Sequence, residues 1–231
     1  MPSLTHDGPD GAVAVLDLGD TENRFHPDLL ASVNDLLDQV STGDGPRALV
    51  TTATGKFFCN GLDLDWMWTA GQRAADNLAE VHALFARLLA LPMVTVAAIG
   101  GHAFAAGAML TLAHDLRVMR ADRGFWCLPE ADLGLPFSPG MSALITARLG
   151  PARAHEAMVT AHRYGGRDAR AAGIVDDTAD DTADAHRAVR DRAVALAARH
   201  AAKAGPALGT IKTTLHAAVL AALRDVEAVP A

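Results

Sequence analysis

The chain has 231 residues, half of them hydrophobic and only 5% aromatic, and its formal net charge is −7 at pH 7. This length suits one sizeable core, or a main domain with a short appendage, and the many alanines favour packed helices over a β-sandwich. The acidic balance, without any long run of Lys or Arg, excludes a basic nucleic-acid-binding surface.

The predicted elements alternate along the chain between short apolar runs, which suit strands, and segments with helical periodicity. Strands are predicted at residues 12–18, 47–53, 93–99 and 116–121. Helices are predicted at residues 26–40, 75–91 and 105–114, after Pro139, at 184–203 and at about 206–226. This alternation indicates an α/β fold with a helical C-terminal third.

Residues 94–113 form a run of twenty residues without a formal charge, which is the length of a membrane-spanning helix. Gly100 and Gly101 interrupt this run and His102 follows them, so a buried strand, a turn and a buried helix fit better. The polar first residues are not a signal peptide, and the last residues match no targeting signal. We therefore expect a cytoplasmic protein without a membrane partner.

Several chemical motifs are missing from the sequence. It contains no GxGxxG, no GxxxxGK[ST] and no HExxH, and its two cysteines, Cys59 and Cys127, form no CxxC, so a metal site is not expected. The stretch LPFSPG around Ser138 resembles a nucleophile elbow, but it lacks the glycine two residues before the serine. A serine hydrolase is disfavoured for that reason and because no His or Asp partner is supported.

Two glycine-containing segments, at residues 55–66 and 100–110, are typical of strand ends that turn into helices. Such turns expose free backbone N–H groups, and two of them that converge form an oxyanion hole. Each segment by itself also fits an ordinary tight turn. A third segment, FWCLPEADLGLP at residues 125–136, places Glu130 among apolar side chains, where it either acts as an acid or base, caps a helix or pairs with Arg123.

In this order, FFCNGLDL, GHAFAAGAMLTLAHDLRVM, PEADLGLP and AHRYGGRDARAAGIVD resemble the crotonase (enoyl-CoA hydratase/isomerase) superfamily. The resemblance extends from about Val13 to the last helix. Within the superfamily, KFFCNGLDLDW, LPMVTVAAIGGHA and RGFWCLPEADLGLP are most similar to Δ3,Δ2-enoyl-CoA isomerases of the plant peroxisomal type.

The resemblance implies a spiral of ββα units over residues 1–180, followed at residues 181–231 by a helical region for oligomerisation. It further implies a homotrimer or a dimer of trimers. The substrate would be an acyl-CoA thioester, and no cofactor beyond this coenzyme A would be needed.

The resemblance also implies the residues of the site. The backbone N–H groups of Leu62 and Ala106 would hold the thioester oxygen of the acyl-CoA. The positions expected to contact the CoA or acyl part are Asn23, Arg24, Gly61, Leu62, Asp63, Leu64, Ala105, Met109 and Lys212. Of these, Asp63 also suits a helix cap, and Lys212 either reaches the CoA phosphate of a neighbouring subunit or is simply solvated.

The residue at position 109 decides the expected reaction. The superfamily's hydratases carry two glutamates, and here Met109 stands in place of the first while Glu130 stands in place of the second. Methionine cannot exchange a proton usefully, whereas a single carboxylate can move a proton from C2 to C4 of an enoyl chain. The sequence thus predicts an isomerase of fatty acid β-oxidation, with Glu130 as its only proton carrier.

Apolar neighbours should raise the pKa of Glu130 and make it a stronger base; the expected ones are Phe125, Trp126, Leu128, Leu133 and Leu135. Two alternatives within the superfamily stay open. One is a hydratase or other acyl-CoA enzyme, such as a lyase, that works with one glutamate. The other is a CoA-thioester-binding protein without catalytic activity.

Overall fold

The computed structural model describes residues 1–41, 45, 47–180 and 184–225. Within these residues, nine strands form two sheets. The strands are β1 (Ser3–Asp7), β2 (Val13–Asp17), β3 (Ala48–Thr52), β4 (Phe57–Cys59), β5 (Val94–Ile99), β6 (His102–Phe104), β7 (Leu116–Arg120), β8 (Trp126–Cys127) and β9 (Asp177–Ala179). The larger sheet has the order β1-β2-β3-β5-β7-β9, and the smaller has the order β4-β6-β8. Only β1 runs antiparallel to its neighbour.

Eleven α-helices connect and cover these strands in the described part of the chain. They are α1 (Pro27–Ser41), α2 (Leu64–Ala70), α3 (Arg73–Ala90), α4 (Ala106–Leu112), α5 (Glu130–Leu133), α6 (Pro139–Leu149), α7 (Pro151–Thr160), α8 (Gly166–Ala171), α9 (Ala185–Ala198), α10 (Pro206–Leu215) and α11 (Ala217–Arg224). Three successive stretches repeat one pattern: a strand of the larger sheet, a strand of the smaller sheet and then a helix. This repetition confirms the predicted ββα units and α/β class.

The larger sheet is buried on both faces. Along β2, Val13 and Val15 contact a layer formed by α9, whereas Ala14 and Leu16 point into the main core on the opposite face. Because successive side chains of a strand alternate between faces, a sheet covered on both sides needs continuous apolar strands. This need explains why the central strands could be recognised as uninterrupted apolar runs.

The C-terminal helices pack onto the same chain. Helix α9 lies against β5, and α11 lies against α6 and α3. The helix predicted at 206–226 is in fact two helices, α10 and α11, which meet at His216 with a bend of 74°. No single helix of the described chain is long and apolar enough to cross a membrane, and α10 with α11 meets that criterion only as a bent pair. The oligomerisation role of residues 181–231 stays a prediction, and positions 181–183 and 226–231 lie outside the described residues.

Candidate active site

The first predicted loop follows β4 and leads into α2. Gly61 has φ = +85°, a backbone conformation that favours glycine, and it places Leu62 just before the helix. Asp63 is the N-cap of α2, and its carboxylate accepts a hydrogen bond from the Trp66 N–H at 3.4 Å. The capping role predicted for Asp63 is therefore confirmed, and its carboxylate serves the helix.

The second predicted loop lies between β6 and α4. Ala105 adopts φ = 51° and ψ = −129°, and its N–H donates to the Cys127 carbonyl at 3.0 Å. The next residue, Ala106, is the first residue of α4, where a backbone N–H has no acceptor within the helix. A strained alanine, held by a neighbouring strand, thus sets the direction of the Ala106 amide.

These two loops lie against each other. A methyl group placed on Gly61 would lie 2.9 Å from the Cβ of Ala105 and 3.3 Å from the Ala106 nitrogen. Likewise, a methyl group on Gly107 would lie 2.2 Å from the Cys59 carbonyl oxygen, so only glycine lets α4 approach β4 this closely. The backbones of the two loops are therefore neighbours, as the prediction of an oxyanion hole requires.

Leu62 and Ala106 also line one cavity of about 610 Å³. Neither of their backbone N–H groups donates to a protein acceptor among the described residues. Two unpaired amides at the wall of one cavity can bind an oxygen that carries negative charge.

Glu130 lines this cavity as well. It is the first residue of α5, it is only 7% exposed, and its Oε2 has no hydrogen-bond partner among the described residues. Burial raises the pKa of Glu130 to about 7, and a hydrogen bond to its own backbone offsets this shift only in part. Neither Arg123 nor another cation pairs with this carboxylate in the described structure, so it is not an ion-pair partner.

The apolar surroundings of Glu130 are only partly those expected. Leu133 and Leu135 line the cavity with it, although both are exposed to solvent on their other side. Trp126 and Leu128 are fully buried in the core, and Phe125 is 40% exposed away from the cavity. Further apolar parts of the wall come from Leu64, Met67, Trp68, Ala74, Leu78, Phe104, Pro129, Pro136 and Met141.

Five of the nine predicted contact positions do not line this cavity, which corrects those predictions. Gly61 is the turn of the first loop and Asp63 is the cap of α2, whereas Asn23, Met109 and Lys212 lie elsewhere. The Asn23 side chain is buried, and its Nδ2 lies within hydrogen-bond distance of the Gly19, Phe57 and Phe58 carbonyls, so it braces β4. Met109 is 1% exposed and packs in the core instead of lining the cavity.

Lys212 is neither solvated nor free to reach a neighbouring subunit. It is 4% exposed, its Nζ donates to the Asp115 carboxylate at 2.8 Å and to the Met93 carbonyl at 3.1 Å, and it thereby fixes α10 to its own chain. Burial lowers the pKa of Lys212, while the Asp115 carboxylate acts in the opposite direction. The periodicity of α10 did not reveal which of its faces is buried.

Arg24, Leu64 and Ala105 do line the cavity as predicted. The guanidinium of Arg24 is already neutralised, because its Nε lies 2.6 Å from a Glu22 carboxylate oxygen and its Nη1 lies 2.7 Å from one of Asp65. A bound phosphate would compete with these carboxylates.

Two features of the cavity were not predicted from the sequence, namely Arg163 and the partner of Ser138. Arg163 lines the cavity, with its guanidinium carbon 5.9 Å from the centre of the Phe104 ring. Ser138 also lines the cavity, and its Oγ lies 2.9 Å from Nε2 of His82. His82 is 56 residues away in sequence, so no local pattern could pair the two. Within the described chain, no group of His, Cys, Asp and Glu side chains is placed to hold a metal ion.

Comparison with known proteins shows the family to which the chain belongs. The family model described as enoyl-CoA hydratase/isomerase matches residues 9–229. The chain is 41% identical over 206 residues to enoyl-CoA delta isomerase 3 of Arabidopsis thaliana, with 86% of this chain and 85% of the relative covered. It is 44% identical over 172 residues to enoyl-CoA delta isomerase 2, peroxisomal, of the same plant, with coverages of 71% and 72%.

A solved structure of an enoyl-CoA hydratase from Mycobacterium marinum matches with a TM-score of 0.86 at 27% identity, covering 98% of this chain and 96% of the other. The ββα units and the paired loops thus define a protein of the crotonase fold. The chain belongs to the enoyl-CoA hydratase/isomerase family. Its relatives include a hydratase and isomerases, so family membership does not determine which reaction the protein catalyses. One of these relatives is named peroxisomal, and the cytoplasmic location stays a prediction.

Proposed function

We propose that this protein is a Δ3,Δ2-enoyl-CoA isomerase, which converts 3-enoyl-CoA into 2-trans-enoyl-CoA during fatty acid β-oxidation. The observation that carries the proposal is the state of Glu130. It is a buried carboxylate without a partner, its pKa is raised to about 7, and it lines the same cavity as the two unpaired amides.

The amides would act on the thioester. Removal of a C2 proton, which lies between a carbonyl and a C3=C4 double bond, moves negative charge onto the thioester oxygen. The N–H groups of Leu62 and Ala106 would donate to that oxygen, and each such donor is worth about 3–4 kcal/mol in the transition state. Because both donors belong to packed backbone, they need no reorganisation when the charge develops.

Glu130 would act as the proton carrier. Its ionised carboxylate takes the proton from C2, the electrons shift through the dienolate, and the carboxylic acid returns the proton to C4. A group with a pKa of about 7 is suited to both steps at neutral pH, because it is a fair base and then a fair acid.

The absence of a second acid from the described cavity wall near Glu130 supports isomerisation over hydration. The other carboxylate that lines the cavity, Asp65, is exposed and paired with Arg24. Met109 supplies neither a proton nor a cavity contact. We further propose that Arg24, Leu64 and Ala105 contact the CoA and acyl parts of the substrate, and that the protein forms a homotrimer or dimer of trimers.

The test is turnover of 3-enoyl-CoA by the wild type and by Glu130→Gln. A positioned general base contributes about 10²–10⁴-fold, so kcat should fall by that factor, and exchange of C2 protons with deuterated water should fall with it. Asp132→Asn is the matched control, because Asp132 lies on the same short helix but is exposed and does not line the cavity.

A loss of less than about tenfold in Glu130→Gln would contradict the proposed role. Water addition to 2-trans-enoyl-CoA is measured in parallel. If the wild type adds water faster than it moves the double bond, the protein is a hydratase. Binding of acyl-CoA without any C2 exchange would identify a non-catalytic binder.

A further inference from the structure

Ser138 lines the cavity, and its side chain is hydrogen-bonded to that of His82, which is not itself a lining residue. Ser138 is 4% exposed and His82 is 1% exposed, and Oγ of the serine lies 2.9 Å from Nε2 of the histidine. The isomerase mechanism above uses neither residue. A hydroxyl and an imidazole at this distance are a nucleophile and a base within hydrogen-bond reach.

The remaining contacts leave Ser138 able to react. It is the N-cap of α6, and its Oγ accepts a hydrogen bond from the Met141 N–H at 3.1 Å. When the hydroxyl proton points to His82, the oxygen keeps one lone pair, because a hydroxyl has two lone pairs and one proton. The positive end of the helix dipole also favours negative charge on this oxygen.

His82 is in a state that can accept a proton. Burial lowers the pKa of His82 below its ordinary value, while the nearby Leu223 backbone acts in the opposite direction, and no charged side chain of the described residues shifts it. Burial therefore favours the neutral form of the ring. Its Nδ1 makes no hydrogen bond of good geometry within the described residues, so a proton can reside there while Nε2 faces the serine.

The same cavity contains the third requirement of acyl transfer, a site for an oxyanion. The unpaired amides of Leu62 and Ala106 line it together with Ser138. A nucleophile, a base and oxyanion donors around one cavity meet the conditions for attack on an acyl group. Two objections to a serine nucleophile were raised from the sequence. The missing glycine in LPFSPG argues only against one type of turn, and the missing histidine partner is supplied by a different helix, α3.

We propose that Ser138 and His82 give this cavity a second activity, the hydrolysis of acyl-CoA thioesters through an acyl-serine. The inference rests on the proposed function in one respect, namely that an acyl-CoA thioester binds in this cavity.

The chemistry balances with water as the only co-reactant. Oγ of Ser138 attacks the thioester carbonyl carbon while its proton moves to Nε2 of His82, and the amides hold the oxyanion. The C–S bond then breaks, and CoA leaves as a thiol with the proton from His82. Water, deprotonated by His82, attacks the acyl-serine; the C–O bond to Ser138 breaks, the serine regains its proton, and a free fatty acid leaves.

The experiment uses decanoyl-CoA, a saturated substrate that has no double bond to move, and follows release of the CoA thiol. The wild type should release thiol above the uncatalysed rate, and Ser138→Asn should lower that rate at least tenfold. Asparagine caps a helix about as well as serine but is not a nucleophile, so α6 stays capped. His82→Gln should lower the rate similarly, and a thermal melt checks that both variants fold.

Two further readouts separate this activity from isomerisation. Hydrolysis should rise with pH as His82 loses its proton, at lower pH than isomerisation, which should rise around pH 7 with Glu130. The order follows because burial lowers the pKa of His82 and raises that of Glu130. Acid quenching during turnover should trap a decanoyl adduct on the peptide that contains Ser138. In Glu130→Gln, isomerisation should fall at least a hundredfold and hydrolysis less than tenfold.

Wild-type thiol release at the uncatalysed rate, or hydrolysis by a folded Ser138→Asn at the wild-type rate, would overturn the second activity. Neither result bears on the isomerase. Conversely, an unchanged isomerisation rate in Glu130→Gln would overturn the proposed function, while hydrolysis that depends on Ser138 could still be present.

Discussion

The protein buries charged groups in two regions, and it treats them differently. Beneath α10, Lys212 pairs with Asp115, whose carboxylate also accepts hydrogen bonds from the N–H and hydroxyl of Thr95 at 2.8 Å and 3.0 Å. In the cavity, Oε2 of Glu130 has no partner at all among the described residues. One region satisfies its charges, and the other leaves an acid unsatisfied.

This difference distinguishes charges that stabilise the fold from an acid that is suited to carrying a proton. A buried charge is costly unless it is paired, so the cluster around Lys212 is arranged to hold α10 to Met93 and Asp115 of the same chain. Glu130 instead avoids its cost by remaining partly protonated, which is the condition under which it can carry a proton. The predictions below test this contrast in order of decreasing effect.

Replacing Lys212 by Met should cost about 3–4 kcal/mol of unfolding free energy, because it leaves the partly buried Asp115 carboxylate without its cation. The value should lie near the low end for buried pairs, since the Asp115 side chain is 25% exposed. Urea denaturation measures the loss, and kcat per folded molecule should be unchanged. The double variant Lys212→Met/Asp115→Asn should recover part of the stability. If Lys212→Met alone is as stable as the wild type, the Lys212–Asp115 pair does not stabilise the fold.

The pH dependence of stability should show the opposite sign at Glu130 from that of a paired carboxylate. Its folded pKa, about 7, lies above its ordinary value of 4.5, so the folded state binds the extra proton. Its contribution is complete below pH 4.5 and is lost as pH rises through 7, by about 3 kcal/mol. Denaturation of the wild type and Glu130→Gln between pH 4.5 and 8 measures this loss. The unfolding free energy of the variant should increase relative to that of the wild type as the pH rises. A pH-independent difference would mean an ordinary pKa.

Replacing Glu130 by Asp keeps a carboxylate but shortens the side chain by one methylene, which moves the carboxylate away from the substrate. A displacement of about 1 Å can cost about 100-fold in rate, so kcat for 3-enoyl-CoA should fall by that order while KM changes little. Steady-state kinetics at pH 8 measure both constants. Equal activity of the Asp variant would show that the carboxylate does not act from a fixed position.

The smallest effect is expected at the cap of α2. Asp63→Ala removes the acceptor of the Trp66 N–H and should cost about 1 kcal/mol of unfolding free energy. Asp63→Asn, which can still cap, should cost less. A clear fall in kcat/KM for the fully folded Ala variant would instead indicate that Asp63 contacts the substrate.

Much of the larger sheet could be predicted from the sequence, because β2, β3 and β5 are mostly apolar on both faces and long enough to show it. Strand β7 was also predicted, although it contains Arg117 and Arg120. The smaller sheet could not. Its strands have two or three residues, which is too short for any periodicity. Two of them, β4 and β6, lie within the segments interpreted as loops. The break between α10 and α11 was also missed, since the sequence is helical on both sides of it.

The candidate site shows the same division. The turns at Gly61 and Ala105 and the isolated Glu130 follow from local sequence, so their positions could be anticipated. The burial of Lys212 depends on Asp115, 97 residues away, and the hydrogen bond of Ser138 depends on a histidine on another helix. Such pairings are decided by packing between distant segments, which one sequence does not display.

The cavity wall has one more consequence. Trp68 on α2 and Leu133 on α5 line the cavity yet are 74% and 55% exposed, while the amide loops are held by glycine contacts in the interior. Mutations at these outer positions meet few packing constraints. Under the proposed function, substitutions at these outer positions could change the length of acyl chain that the cavity accepts while the amide loops stay unchanged.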